Sequence, residues 1–172
     1  MDFNYYFNYF SKESIGRYDM SPIYSNIVVF NQLIDDIVNL HKDKQFNKVV
    51  AIDSIGFVLG TAVAIKMNLG IILVRKEGKI PLSKEQIISK SFIDYSNIEK
   101  VLEIDRTMIQ RNNSYLIVDD WVETGSQSKA VIDMIETLGG KVLGIASIGS
   151  DRNEKTEFLF EKYCLKSIGV NV

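Results

Sequence analysis

Apolar positions in IVVFNQLIDDIVNL, residues 27–40, recur every three or four places, the spacing that lines one face of an α-helix. The Ser21-Pro22 pair just ahead supplies an N-cap and a first-turn proline. KVVAID at 48–53 reads instead as a short buried strand, followed by SIGFVLGTAVAIKMNLG, an apolar helix closing at Gly70. IILVR at 71–75 is a second β-branched run, so 48–75 forms one strand–helix–strand unit. SYLIVDD at 114–120 is a third buried strand, SKAVIDMIETLG at 128–139 a helix, and KVLGIASIG at 141–149 a fourth strand. Residues 76–113 are polar and irregular, with charged pieces that suit a hairpin and a mobile loop. The opening MDFNYYFNYF reads as a short helix packed over the sheet or a partner subunit.

Strands that alternate with helices through right-handed crossovers predict an α/β fold with a parallel sheet. No repeat, low-complexity tract or Pro/Gly-rich linker divides the chain, so residues 1–172 are expected to form a single domain. In such sheets ligands gather at the carboxyl ends of the strands. Three turns fall there: DSIG at 53–56, RKEGK at 75–79 and DDWVETGSQS at 119–128.

Composition narrows the ligand. A formal net charge of −2 and the lack of a long basic run argue against nucleic-acid binding. The local basic cluster VRKEGK at 74–79 suits a small anion better than a polymer. No apolar run reaches membrane-spanning length, and the N-terminus lacks a signal peptide's basic region. The single cysteine, Cys164, excludes an internal disulfide and points to a reducing, cytoplasmic location. The single histidine, His41, has no surroundings that suit a nucleophilic triad, and its spacing from Cys164 does not suit a metal cluster.

The third turn carries the most chemistry. Thr124, Gly125, Ser126, Gln127 and Ser128 would present hydroxyls and backbone N–H groups at a helix N-terminus, a combination that binds phosphate. Asp119 and Asp120 at the strand end are able to hydrogen-bond vicinal hydroxyls or to hold a hydrated Mg²⁺. Phosphate, diol and metal together describe a phosphorylated ribose. The plainer reading is that Asp and Ser cap a helix and the acids merely end a strand. Neither a P-loop nor a dinucleotide fingerprint is present.

With its two acids after a strand and a Thr-Gly loop, Asp119-Asp120-Trp121-Val122-Glu123-Thr124-Gly125-Ser126-Gln127, the chain resembles a type I phosphoribosyltransferase. YDMSP at 18–22, DSIGFVLG at 53–60 and RKEGKIP at 75–81 resemble, in order and spacing, R-D-I-S-P, D-S-R-G-F-x-x-G and R-K-x-G-K-L-P of the adenine phosphoribosyltransferases. The resemblance implies the fold of that group, a central parallel sheet flanked by helices with a small hood and a flexible loop. It also implies transfer of ribose 5-phosphate from phosphoribosyl pyrophosphate to adenine or a related nitrogen heterocycle, with release of pyrophosphate and with Mg²⁺ as cofactor. On that resemblance, 124–128 take the 5-phosphate and Asp119 and Asp120 the ribose hydroxyls, with Mg²⁺ held there through water. Asp53, Ser54, Ile55 and Gly56 form the turn that approaches the pyrophosphate, which Arg75 and Lys79 reach near the interface of a homodimer. Arg17 and Tyr18, ahead of Asp19, resemble the base-binding pair in swapped order, and Trp121 is a further stacking candidate.

Three departures bear on function. Ile55 stands where the family has Arg, which removes a cation beside the pyrophosphate at a cost of ~1.5–3 kcal/mol. E-T-G-S-Q replaces A-T-G-G-T, leaving Ser126 and Gln127 as substitute donors. Glu123 resembles the acid that manages the base proton in the hypoxanthine-guanine enzymes. Asp94, in Ile93-Asp94-Tyr95-Ser96, resembles the adenine enzymes' loop acid and is the rival for that role. The alternative function is a non-catalytic relative that binds a nucleotide or phosphoribosyl pyrophosphate as a regulator.

Overall fold

The computed structural model describes residues 1–11, 18–94 and 96–171. Seven strands form one sheet in the order β3-β4-β2-β1-β5-β6-β7. The central strands β1 (Lys48–Ile52), β2 (Gly70–Lys76), β5 (Ser114–Val122), β6 (Lys141–Asp151) and β7 (Leu165–Asn171) pair in parallel. The hairpin β3 (Ile87–Ile93) and β4 (Glu99–Asp105) is antiparallel and joins the sheet where Arg75 and Lys76 of β2 pair with Glu103 and Leu102. The charged pieces of 76–113 therefore extend the sheet at one edge.

The helices cover both faces. On one face, α3 (Ile27–Asn39) and α4 (Gly56–Lys66) pack with the N-terminal segment over Val49, Leu116, Val118 and Ile148. On the other, α5 (Ser126–Thr137) and α6 (Glu157–Tyr163) pack over Val50, Ile52, Ile117 and Ile145. Strands buried on both sides read as continuous apolar runs, which is why β1 and β5 were visible without alternation. No helix among the described residues is long and apolar enough to cross a membrane.

Several boundaries differ from the sequence expectation. Ser21-Pro22 opens a separate short helix, α2 (Ser21–Ser25), because Asn26 breaks the chain and caps α3 by accepting from the Val28 and Val29 N–H groups. Helix α4 ends at Lys66, with Asn68 in the left-handed conformation (φ 55°); Gly70 already belongs to β2. The side-chain amide of Asn tolerates that conformation at a helix end, as Gly does. Helix α5 begins two residues earlier than expected, at Ser126. Helix α6 and strand β7 lie beyond the last element read from the sequence. The opening aromatic segment does contain a short helix, α1 (Phe3–Phe7), and it packs against the sheet.

Candidate functional site

The first and third of the predicted turns meet at the carboxyl ends of β1 and β5. After β1, Asp53, Ser54 and Ile55 lead straight into α4, and the Asp53–Ser54 peptide is cis. A Cβ added to Gly56 would lie 3.1 Å from Asp119 Oδ1 and 3.1 Å from the Val118 carbonyl oxygen. Glycine is thus what lets the 53–56 turn press against the acid-bearing end of β5. Ile55, at the start of α4, is 39 % exposed and brings no charge to this turn.

Asp119 is buried, Asp120 half-buried. The Asp120 N–H donates to Asp119 Oδ1 (3.0 Å) and the Gln127 side-chain amide to Asp119 Oδ2 (3.3 Å). Burial, reinforced by the neighbouring Asp120 charge, pushes the Asp119 carboxyl well above its ordinary range despite these two donors. The two acids and the predicted phosphate loop are therefore one connected unit. Tyr24, on α2, faces the same acids. Its hydroxyl is buried without a hydrogen-bond partner among the described residues, and burial first, then the charges of Asp120, Asp119 and Asp19, make it harder to ionise.

The predicted phosphate loop follows β5 and runs into α5. Gly125 is left-handed (φ 69°) and sits at the N-cap of α5, a turn that glycine adopts without strain. Thr124 Oγ1 and Ser126 Oγ lie 2.9 Å apart, and Ser126 Oγ donates to the Ile93 carbonyl (2.8 Å). Ser128 is buried in the first turn of α5, so its side chain faces inward. Glu123 is exposed at the edge of the cradle, and its carbonyl accepts from the Asn153 side-chain amide (3.2 Å).

Contact between Ser126 and Ile93 brings the tip of the β3–β4 hairpin to the cradle. Asp94 at that tip accepts from the Ser96 N–H (2.8 Å), the Ser96 hydroxyl (2.6 Å) and the Ile98 N–H (3.1 Å), and pairs with Lys100 (3.0 Å). These donors, the Ser96 hydroxyl foremost, hold its carboxyl far below the ordinary range.

The second predicted turn adjoins the first. Arg75 Nε lies 3.5 Å from Asp53 Oδ2 and Lys76 Nζ 3.4 Å from Asp53 Oδ1, which links the second turn to the first. Arg75 and Lys79 also border a groove of about 290 Å³ whose walls include Leu73, Ile80, Pro81, Leu82 and Met108. Tyr18 is 52 % exposed beside Trp121, with ring centroids 5.6 Å apart, whereas Arg17 lies outside the described residues.

Sequence reasoning missed Asn153, Tyr24 and Phe3. Asn153 sits in the exit turn of the fourth predicted strand, a turn at the same end of the sheet as the other three. Phe3 and Tyr24 had no local signal, because only the folded N-terminal segment brings them to the strand ends.

Among the described residues no group of three or more His, Cys, Asp or Glu side chains is arranged to hold a metal ion. The hard-oxygen pair Asp119 and Asp120 fits Mg²⁺ of the kind that is bound by one or two carboxylates and otherwise by water and substrate phosphates.

Known proteins resemble this chain in sequence and in fold. An adenine phosphoribosyltransferase of Caldicellulosiruptor saccharolyticus is 36 % identical over 137 residues, 80 % of this chain and 76 % of that protein. One from Clostridium botulinum strain Hall is 33 % identical over 159 residues, 92 % of this chain and 90 % of that protein. The crystal structure of adenine phosphoribosyltransferase from Thermoanaerobacter pseudethanolicus superposes with a TM-score of 0.87 at 22 % identity, covering 98 % of this chain and 99 % of that one. The model of the phosphoribosyl transferase domain matches residues 26–169, a span that contains the Gly56 turn, the acid pair and the Gly125 cradle, and the chain belongs to that family.

Proposed function

We propose that this protein is a pentosyltransferase that moves ribose 5-phosphate from phosphoribosyl pyrophosphate to a ring nitrogen of adenine or a related heterocycle. The observation that carries the reading is the junction of Gly56, Asp119 and Gln127, where the turn after β1, the acid pair and the cradle come within contact distance. In the reaction the bond between the sugar's anomeric carbon and pyrophosphate breaks, its electron pair leaving with pyrophosphate. The ring nitrogen supplies the pair for the new carbon–nitrogen bond and gives up its proton.

Thr124, Gly125, Ser126 and Gln127, with the α5 N-terminus, would bind the 5-phosphate, Ser128 contributing through its backbone. Asp119 and Asp120 would orient the ribose hydroxyls and hold Mg²⁺ through water. When bound, Mg²⁺ neutralises charge on the departing pyrophosphate. Asp53, Ser54, Ile55 and Gly56 would line the pyrophosphate with backbone groups, and Arg75 and Lys79 would supply cations. We assign the proton to Glu123, whose exposed position beside the cradle supports that role, with Asp94 the rival acid. Arg17 and Tyr18 would flank the base. The whole chain would act as one catalytic domain within a homodimer. Cys164, free and half-buried, suits a reducing cytoplasm.

The test is pyrophosphate release from phosphoribosyl pyrophosphate and Mg²⁺ with a panel of adenine, hypoxanthine, guanine, xanthine, uracil and orotate. Release with adenine or a related base is expected. Because Ile55 removes a cation from the turn, the second reading is a regulator that binds the donor without turning it over. Donor binding by calorimetry with no release for any base would select that reading.

A further inference from the structure

The turn between β6 and α6, residues 152–156, lies at the same end of the sheet as the acids and the cradle, yet holds none of the residues assigned to the ligand. Its shape is fixed from within. Thr156, fully buried, accepts the Asn153 N–H on its hydroxyl oxygen (2.9 Å) and donates that hydroxyl to the Asp151 carbonyl (2.6 Å). The Asn153 carbonyl receives the N–H groups of Thr156 (3.0 Å) and Glu157 (2.9 Å) at the start of α6. On the outer side the Arg152 guanidinium pairs with Glu157, with Nε 3.0 Å from Oε2, and the Arg152 N–H donates to the Asn171 carbonyl of β7 (2.7 Å). A buried hydroxyl, a helix start and a neighbouring strand thus hold the turn independently of the cradle.

The Asn153 side chain reaches from this turn to the cradle. Its Oδ1 accepts from the Lys155 N–H (2.9 Å), which the amide nitrogen cannot do, so Nδ2 faces the other way and donates to the Glu123 carbonyl (3.2 Å). The turn therefore dictates which end of the amide Glu123 meets. The same segment backs the cradle at Gly125, where an added Cβ would lie 3.4 Å from Thr156 Cγ2 and 2.8 Å from Leu159 Cδ1. Asn153 and Glu123 are both exposed, so water could replace the amide at the carbonyl with little loss of stability. Water would not, however, fix the Glu123 backbone relative to a rigid turn.

We propose that Asn153 is a positioning residue for phosphoribosyl transfer. By tying the Glu123 carbonyl to the β6–α6 turn, it fixes the backbone from which the Glu123 carboxylate reaches the acceptor's ring nitrogen. The proposal rests on the phosphoribosyl-transfer reading and on the assignment of the proton to Glu123. Proton transfer requires hydrogen-bond reach, and misplacement by ~1 Å costs on the order of a hundredfold in rate. Donor affinity is assigned to the cradle, the acids and the cations, and should change little when the amide is lost.

The experiment follows pyrophosphate release by the full chain with phosphoribosyl pyrophosphate, Mg²⁺ and the base that supports turnover. Asn153→Ala removes both bonds of the side chain. Asn153→Ser keeps a hydroxyl for the Lys155 N–H and adds no charge, but is too short to reach Glu123, so it guards against loss of the turn itself. Both variants should lower kcat about tenfold, while KM and Kd for the donor stay within about twofold. Thermal unfolding of Asn153→Ser should match that of the unaltered protein. In a Glu123→Gln background, Asn153→Ser should lower kcat no further, because Asn153 acts through Glu123. An unchanged kcat in Asn153→Ser, the same loss repeated in the Glu123→Gln background, or equal loss of kcat and donor affinity would overturn the proposal and leave phosphoribosyl transfer standing. Normal turnover by Glu123→Gln alone would do the same. If the unaltered protein releases no pyrophosphate with any base, the phosphoribosyl reading itself fails, and this proposal with it.

Discussion

Asp119 is buried, and burial disfavours its charged form. Its folded carboxyl titrates above the unfolded value of 3.8, so the native state keeps this proton to higher pH than the unfolded chain does. Between those two values the unfolded state binds fewer protons, and stability falls as pH rises. Asp119→Asn removes the buried charge and the repulsion from Asp120. Without ligands, the variant should be more stable near neutral pH by on the order of 1–3 kcal/mol, with the difference shrinking as pH approaches 3.8. Urea denaturation across that range measures it, and a destabilised variant at neutral pH would mean the charge is compensated. Glu123→Gln tests the opposite kind of residue, an exposed one. Turnover is expected to fall ~10²–10⁴-fold with donor affinity retained, measured as pyrophosphate release and by calorimetry. Unchanged turnover would remove the role assigned to Glu123. Both acids were legible in the sequence because the strand end, the acids and the Thr-Gly loop are contiguous. Asn153, which holds the Glu123 carbonyl from 30 residues away, was not, because nothing local marks such a contact.

At the scale of elements, the cradle depends on one reversal of the chain. Gly125 is left-handed, a conformation that costs other residues roughly 1–2 kcal/mol, and an added Cβ would also meet Leu159 Cδ1 of α6 at 2.8 Å. Gly125→Ala should destabilise the protein by about 2 kcal/mol and weaken the donor, because relief of the clash moves the loop or α6. Denaturation midpoints and donor titration check the two effects, and unchanged donor affinity would show that the loop tolerates the shift. The elements that position this loop were the easiest to read. β1 and β5 are buried on both faces and appear as unbroken apolar runs, and α3 repeats at helical spacing. The β3–β4 hairpin was harder. It is an edge pair with all of β3 exposed or half-exposed, so its side chains carry little apolar alternation. Its attachment depends on the pairing of Arg75 with Glu103 and of Ser126 with Ile93, both long-range. The end of α4 misled for a different reason: Gly70 looks like a terminator, but Asn68 supplies the left-handed residue first.

At the scale of the whole molecule, among the described residues, α4 presents an apolar stripe whose partner we propose is a second copy. On α4, Val58, Thr61, Ala62 and Ile65 recur at helical spacing on the side away from the sheet; Val58, Thr61 and Ile65 are exposed and Ala62 half-buried, with Ile65 at 75 %. Ile71 lies against α4 near Gly60, and it also lines the groove with Leu73, Ile80, Pro81, Leu82 and Met108. Arg75 and Lys79 border the same groove, so a partner seated there would order the cations assigned to pyrophosphate. On this proposal assembly and activity are linked. Sedimentation is expected to give twice the 19.6 kDa mass of the chain, and Ile65→Asp, which places a charge in the stripe without touching the acids or the cradle, should shift it to 19.6 kDa. The monomeric variant should bind the donor more weakly, although no residue assigned to the donor has changed. A monomeric unaltered protein with full turnover would show that Arg75 and Lys79 hold pyrophosphate without help from a partner, and that the groove serves some other end.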